Sequence, residues 1–411
     1  MQGNFPTTSS KPIVFSSKTQ EVYAEGWALV SKMKVYAMLG RRGELEEEVR
    51  RYFKVAVKYQ FNRLASEMSG FLQYYYLFIR GDKYRGEKYS QLRAKYDELS
   101  SAEKYVERIY AQMAYKINNS RNLSATLQTE LDNTCNDLRS YLKYNSTQIK
   151  LYIYGLLNIR AYLLNDHATI IRNSRSLIEY LEAHKIEKTT NARKDLAFSL
   201  ICLGRYEEAS TSIQQAIARI NKGSLSWSIY IYYRFVLKIH QEDYDGAYQL
   251  YKEAEKKKQI NKAMMEQWLI TRGYVKFLVQ GQLVKGTTHF KLGKFLNEVP
   301  IFSKDKEGNN IHILILKIIL NLGLNHDKII DERDAIERYI ERYLKTNHLR
   351  SKLFLQMLLQ IPLSHFNRST LAFRTKNLLK RLEKARTLKG FDPDREIVPF
   401  ERLWGMVLEL L

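Results

Sequence analysis

The chain has 411 residues, 45% of them apolar and 27% charged, with 29 tyrosines and 17 phenylalanines, a composition that excludes disorder as the dominant state. A formal net charge of +22 favours acidic partners, whether protein, nucleic acid or an anionic membrane face. Two cysteines, Cys135 and Cys202, are too few for a disulfide framework and read as small apolar helix residues.

Residues 1–20 carry no basic segment followed by an apolar core, so they read as a poorly ordered lead-in and not as a secretory signal. Residues 13 to 299 contain no proline, which suits helices, because proline removes an amide donor and clashes with the preceding turn. Together these features predict an all-α, cytoplasmic protein. The first helix signal is "GELEEEVRRYFK". Glu44, Glu46, Glu47 and Glu48 precede Arg50, Arg51 and Lys54, an order that suits the helix dipole and sets Glu46 four residues from Arg50. The tyrosine-rich runs "YYYLFI" (74–79) and "YIYYRF" (230–235) are read mainly as helix packing, since consecutive helical residues point in different directions.

A repeat emerges from residue 203 onward. "LGRYEEASTSIQQAI" places Tyr206 just after a turn at Gly204, followed by the small–large–small set Ala209, Ile213 and Ala216. The same outline recurs 38 residues later at Tyr244 with Ala247, Tyr251 and Ala254, and 39 residues after that at Leu283 with Gly286, Phe290 and Gly293. Residues three and four apart share a helix face, so a large side chain between two small ones lets a neighbouring helix approach closely. Extended both ways, the turn falls near Leu45, Tyr84, Leu123, His167, Asp327 and Asn367. The spacing predicts about nine antiparallel helical hairpins stacked as an α-solenoid with 38–39-residue repeats. The expected divisions are 21–165 (degenerate hairpins), 166–300 (clearest repeats) and 301–411. The last contains a basic helix over 369–389 and a capping helix over 399–411.

On Leu203, Gly204, Tyr206, Ala209, Ile213 and Ala216, and on Asp243, Tyr244, Ala247, Tyr251 and Ala254, the chain resembles the tetratricopeptide repeat family. Its repeat is longer than that family's, and the small residue expected inside the first helix is Ala197 in one unit but Phe235 and Tyr274 in the next two. The resemblance implies a concave binding surface lined by first helices, with Lys194, Phe198, Tyr232, Val236, Thr271 and Val275 facing a peptide or helix; the competing reading of the apolar ones is core between helix layers. It also disfavours the family's clamp for chaperone C-terminal carboxylates, because Phe198, Val236 and Val275 stand where asparagine is needed.

The apolar run at 311–324 is too short to span a bilayer and contains His312 and Lys317, so it predicts a buried helix. Residues 350–390 hold ten Lys plus Arg against the single acid Glu383. Arg374, Lys376, Lys380, Arg381, Lys384 and Arg386 form a basic patch suited to an acidic protein or to phosphates. No phosphate-binding loop, nucleophile elbow or H-E-x-x-H motif occurs, so neither cofactor, metal site nor enzyme activity is expected. The resulting expectation is a non-catalytic scaffold or adaptor. A nucleic-acid-associated solenoid and a regulatory repeat protein acting through a partner are the alternatives.

Overall fold

The computed structural model describes residues 18–119, 125–184, 186, 189–256, 260–298, 309–322, 324–344, 349–389 and 396–411. All regular structure among these residues is helical. They divide into two compact units, residues 1–160 and 161–411. The division expected at 300 falls outside the described residues.

In the first unit the helices are α1 (Lys18–Met38), α2 (Glu46–Lys58), α3 (Asn62–Tyr74), α4 (Lys83–Asn119), α5 (Ala125–Arg139) and most of α6 (Thr147–Leu163). α1 starts inside the segment expected to be poorly ordered, and residues 1–17 lie outside the described residues. α3 packs on α1, α2 and α4, around a core that includes Val49, Leu64, Met68 and Leu72. The expected Glu46–Arg50 pair forms at 3.1 Å.

α4 corrects the expectation of one hairpin per repeat. It runs unbroken for 37 residues, where the 39-residue spacing calls for a break midway. After Gly86 it contains neither glycine nor proline, and Ser100 and Ser101 alone do not stop a helix of good formers. The turn expected at Leu123 lies outside the described residues.

The second unit contains α7 (His167–Ala183), α8 (Thr190–Cys202), α9 (Tyr206–Ile217), α10 (Leu225–His240), α11 (Tyr244–Lys256), α12 (Met265–Gln280), α13 (Leu292–Glu298), α14 (Asn309–Ile319), α15 (His326–Tyr343), α16 (Leu349–Leu358), α17 (Gln360–Leu363), α18 (Arg368–Lys389) and α19 (Phe400–Glu409). Packing follows chain order: α8 touches α7 and α9, α10 touches α8, α9 and α11, and α14 touches α12, α15 and α16. Ala209, Ile213, Ala216, Ala247, Tyr251 and Ala254 are all buried at these seams. Tyr206 is half-buried and meets the His240 ring edge-on at 6.2 Å. The apolar run from 311 forms α14, with Ile311, Ile315, Leu316 and Ile319 fully enclosed.

The turns explain the period. A left-handed residue ends the helix at Asn165, Gly204, Glu242 and Gln282, with φ of 53°, 72°, 61° and 58°. At Gly204 its amide bonds Ile201 O at 3.0 Å, and the next amide, Arg205 N, reaches back to Leu200 O at 2.8 Å. The same pair of bonds recurs at Asn165, Glu242 and Gln282, and in the first unit at Gly40 and Gln60. This is the Schellman closure of a helix C-terminus. The following helix is then capped by a short polar side chain in several hairpins. Asp166 accepts from Thr169 N (3.0 Å), Asp243 from Gly246 N (2.9 Å), Asn325 from Lys328 N (3.2 Å) and Asn367 from Thr370 N (2.9 Å).

Glycine is absent from most of these left-handed positions, where a side chain costs roughly 1–2 kcal/mol. Gln282→Gly should therefore stabilise the unit by about 0.5–1 kcal/mol, read as a rise in the denaturant midpoint at unchanged slope. A fall in the midpoint would contradict the strain assignment.

The third repeat unit departs from expectation. No helix follows Leu283; residues 285–291 are irregular and α13 begins only at Leu292. Gly286 followed by two β-branched threonines is poor helix sequence. Instead, Tyr248 Oη donates to Thr287 O and accepts from Thr287 N, both at 3.0 Å, holding this backbone against α11. A Cβ at Gly286 would lie 2.3 Å from that hydroxyl, so the glycine serves close approach and not helix stacking. Phe290 is half-buried beside Phe295, which takes the core position, and a Cβ on Gly293 would meet nothing.

Candidate functional site

Five of the six residues expected to line a groove are core. Phe198 is buried among Tyr162, His167 and Tyr233, with ring centroids 5.8–6.1 Å away. Tyr232 is buried and its hydroxyl accepts from Gln267 Nε2 at 2.8 Å. Val236, Thr271 and Val275 are enclosed, and Thr271 Oγ1 satisfies Gln267 O at 2.9 Å. Only Lys194 is partly open, 3.9 Å from Asp195. The reason is geometric: α8 and α10 have helix neighbours on more than one side, so the faces chosen for the groove meet the next hairpin. A partner cannot touch five of these six side chains without opening the fold.

The basic helix behaves differently. Asn367 caps α18, and Leu371, Thr375, Leu382 and Ala385 bury one face against α16 and α19. Phe373, Lys376, Lys380 and Lys384 fall at intervals of three, four and four, opposite that buried face, and all are exposed. Phe373 is 82% exposed. Arg374 and Arg381 flank this stripe, Arg374 Nε reaching Gln360 Oε1 at 3.2 Å. The Arg386 side chain lies outside the described residues. Phe373 was missed from sequence although its spacing from Lys376 places it on the same stripe.

Sequence reasoning also missed the clasp that holds α18 and α19 in place. Arg350, on α16, sends Nε to Glu396 Oε1 at 2.5 Å and Nη2 to Glu396 Oε2 at 2.7 Å. The same guanidinium reaches Glu401 at 2.8 and 2.9 Å and Leu382 O at 2.8 Å. Burial works against the Arg350 charge, yet the two carboxylates hold its pKa above the ordinary arginine value. Burial dominates at Glu396 and pushes its carboxyl up, against the pull of Arg350. Phe354 stacks on Phe400 at 4.4 Å. The carbonyl of Glu396 meets His240 Nε2 at 3.0 Å, and Arg402 pairs with Glu242 at 2.7 Å and reaches Tyr244 Oη at 3.3 Å. The segment around α19 thus packs on α16 and α18 and also on the α10–α11 turn. The sequence holds Arg350, Glu396 and Glu401 with no periodic relation, so no spacing signals their meeting.

Other polar groups are structural. Glu103 is buried, accepts from Asn62 Nδ2 (2.7 Å) and Ser146 Oγ (2.6 Å), and has its pKa raised by burial. Cys135 and Cys202 are both buried, and burial pushes the Cys135 pKa up to about 11, which disfavours the nucleophilic thiolate. A cleft of about 530 Å³ opens between α12, α14 and α15, with Lys276, Gln280, Phe290 and Leu320 on its walls and the Lys317–Glu332 pair (2.8 Å) within it. Among the described residues no cluster of three His, Cys, Asp or Glu suits a metal ion, and no helix is long and apolar enough to cross a membrane.

Comparison with family models, curated proteins and solved structures found no match.

Proposed function

We propose that this chain is a tetratricopeptide-like helical-repeat scaffold, a solenoid of hairpins whose work is recognition, and that it takes an acidic protein segment on the outer face of α18. Support for the solenoid comes from the Schellman turns at Asn165, Gly204, Glu242 and Gln282 and from helix packing in chain order. The observation that carries the binding surface is the α18 stripe. One face of the helix is locked into the fold while the other offers Lys376, Lys380, Lys384, Arg374 and Arg381, with exposed Phe373 as an apolar anchor. An acidic helix or extended peptide with one large apolar residue complements it.

The test is titration of a fluorescent Glu/Asp-rich peptide containing one leucine. Lys376→Glu/Lys380→Glu/Lys384→Glu should weaken binding at least about tenfold and remove most of its salt dependence. Equal affinity in the variant would sink the assignment. Nucleic acid is the second reading, favoured by Phe373 beside Arg374: single-stranded RNA would stack on the ring, and Phe373→Ala would then cost about 1–3 kcal/mol of RNA binding. An RNA titration that Phe373→Ala leaves unchanged removes that reading.

A further inference from the structure

A second surface lies in the first unit, on the edge formed by the α1–α2 turn and the end of α3. Val35, Met38 and Leu39 share one face at the exit of α1, at intervals of three and one, and all are exposed. Met38 is 88% exposed. The last turn of α3 widens into a π-helical turn over Tyr75–Ile79, marked by Arg80 N bonding Tyr75 O at 3.0 Å. This turn buries Tyr75 and Tyr76 and turns Phe78 (74% exposed) and Ile79 outward. π-Turns of this kind recur at functional positions. Arg42 ties the two turns together: its guanidinium lies 4.2 Å over the Tyr74 ring, which in turn stacks on Phe78 at 4.9 Å. Tyr84, at the start of α4, is 81% exposed.

Three arginines, Arg41, Arg42 and Arg80, stand on these turns, with Glu44 paired to Arg41. Arg42 bonds the Ala37 carbonyl and Arg80 the Tyr75 hydroxyl, and among the described residues neither forms an ion pair with a carboxylate. Two exposed turns thus combine aliphatic tips, exposed tyrosines and the arginines Arg42 and Arg80, with Glu46 acting on Arg80 only at longer range and Arg41 paired to Glu44. Single-stranded nucleic acid would use the rings and arginines but leave Met38, Leu39 and Ile79 without a role, since bases stack on flat π-faces. An anionic bilayer surface uses every one of them. The aliphatic tips and Phe78 enter the acyl boundary, tyrosine rings sit at headgroup level, and arginines meet lipid phosphates and carboxylates.

We propose that this edge of the first unit docks the protein peripherally onto anionic membrane. It is independent of the α18 surface and of the recognition assigned to it.

The experiment is co-sedimentation of the full chain with phosphatidylcholine vesicles made with and without phosphatidylserine. The chain should pellet with the anionic vesicles, less so as salt rises, and little with the neutral ones. Met38→Asp/Phe78→Asp should lower the partition about tenfold or more at unchanged helicity, since both side chains are exposed and outside the core. Because α18 is also basic, the same double substitution is repeated in a Lys376→Glu/Lys380→Glu/Lys384→Glu background, where it should cause the same further loss. Failure to pellet with anionic vesicles, or pelleting that the Met38/Phe78 substitutions leave intact in both backgrounds, overturns the proposal. Vesicle-independent retention of a single-stranded RNA on these residues assigns the edge to nucleic acid and overturns it equally.

Discussion

Replacing Arg350 with methionine should cost the second unit about 3–5 kcal/mol, the range expected when one partner of a buried ion pair is removed. The size follows from what is left behind. Glu396 is buried and loses two of the guanidinium's five hydrogen bonds at once, while Glu401 loses two more and Leu382 O loses a donor. Arg350→Lys should recover only part of the loss, because an ammonium cannot fork across two carboxylates and a carbonyl. Denaturant unfolding followed at Trp404, which lies 6.3 Å from Phe354 in the same cluster, reads this directly. Wild-type stability in the methionine variant would show that the ion cluster contributes nothing net. Replacing Arg350, Glu396 and Glu401 together by apolar residues is the informative control, since well-packed apolar triads often match or exceed the ionic ones they replace.

Phe235→Ala should cost about 3–5 kcal/mol, whereas Ala197→Phe, at the matching position one repeat earlier, should cost about 1–3 kcal/mol by overpacking. Both side chains are fully buried. Phe235 packs edge-on to Trp268 at 6.5 Å, and Trp268 stacks on Tyr251 at 6.0 Å, so one deletion empties a shared aromatic seam between α10, α11 and α12. Ala197 lies where α8 is pressed between α7 and α9, and a phenyl ring there has nowhere to go. If either exchange were silent in thermal and denaturant unfolding, the two positions would not be equivalent in the repeat.

The hairpin rhythm was readable because it is written in local chemistry. Helices begin at or within one residue of Leu45, Tyr84, His167, Tyr206, Tyr244, Asp327 and Asn367. What the sequence hides is that the turn depends less on glycine than on hydrogen bonding. Gln60, Asn165, Glu242 and Gln282 take the left-handed position that Gly204 takes, and Asp or Asn caps follow in several hairpins. The turn at Leu283 was legible, yet its second helix was not, because Tyr248 binds the Thr287 backbone from 39 residues away. The groove failed for a related reason. A small–large–small pattern says that a helix face is covered, but not by which neighbour, and Phe198, Val236 and Val275 proved to be inside. Charge patterning fared better at α18, where Lys376, Lys380 and Lys384 had only to avoid the core.

The contact between His240 and the Glu396 carbonyl joins residues 156 apart in the chain. An array coupled only through adjacent repeats can fray from an end and regain structure one hairpin at a time. Here that route is opposed, because loosening α19 also strips partners from Glu242 and Tyr244, several helices earlier. Forming the link requires the closure of a long intervening loop, an entropic cost met before the contact returns anything. The second unit should consequently assemble slowly, with this contact made late, and come apart as a single cooperative block.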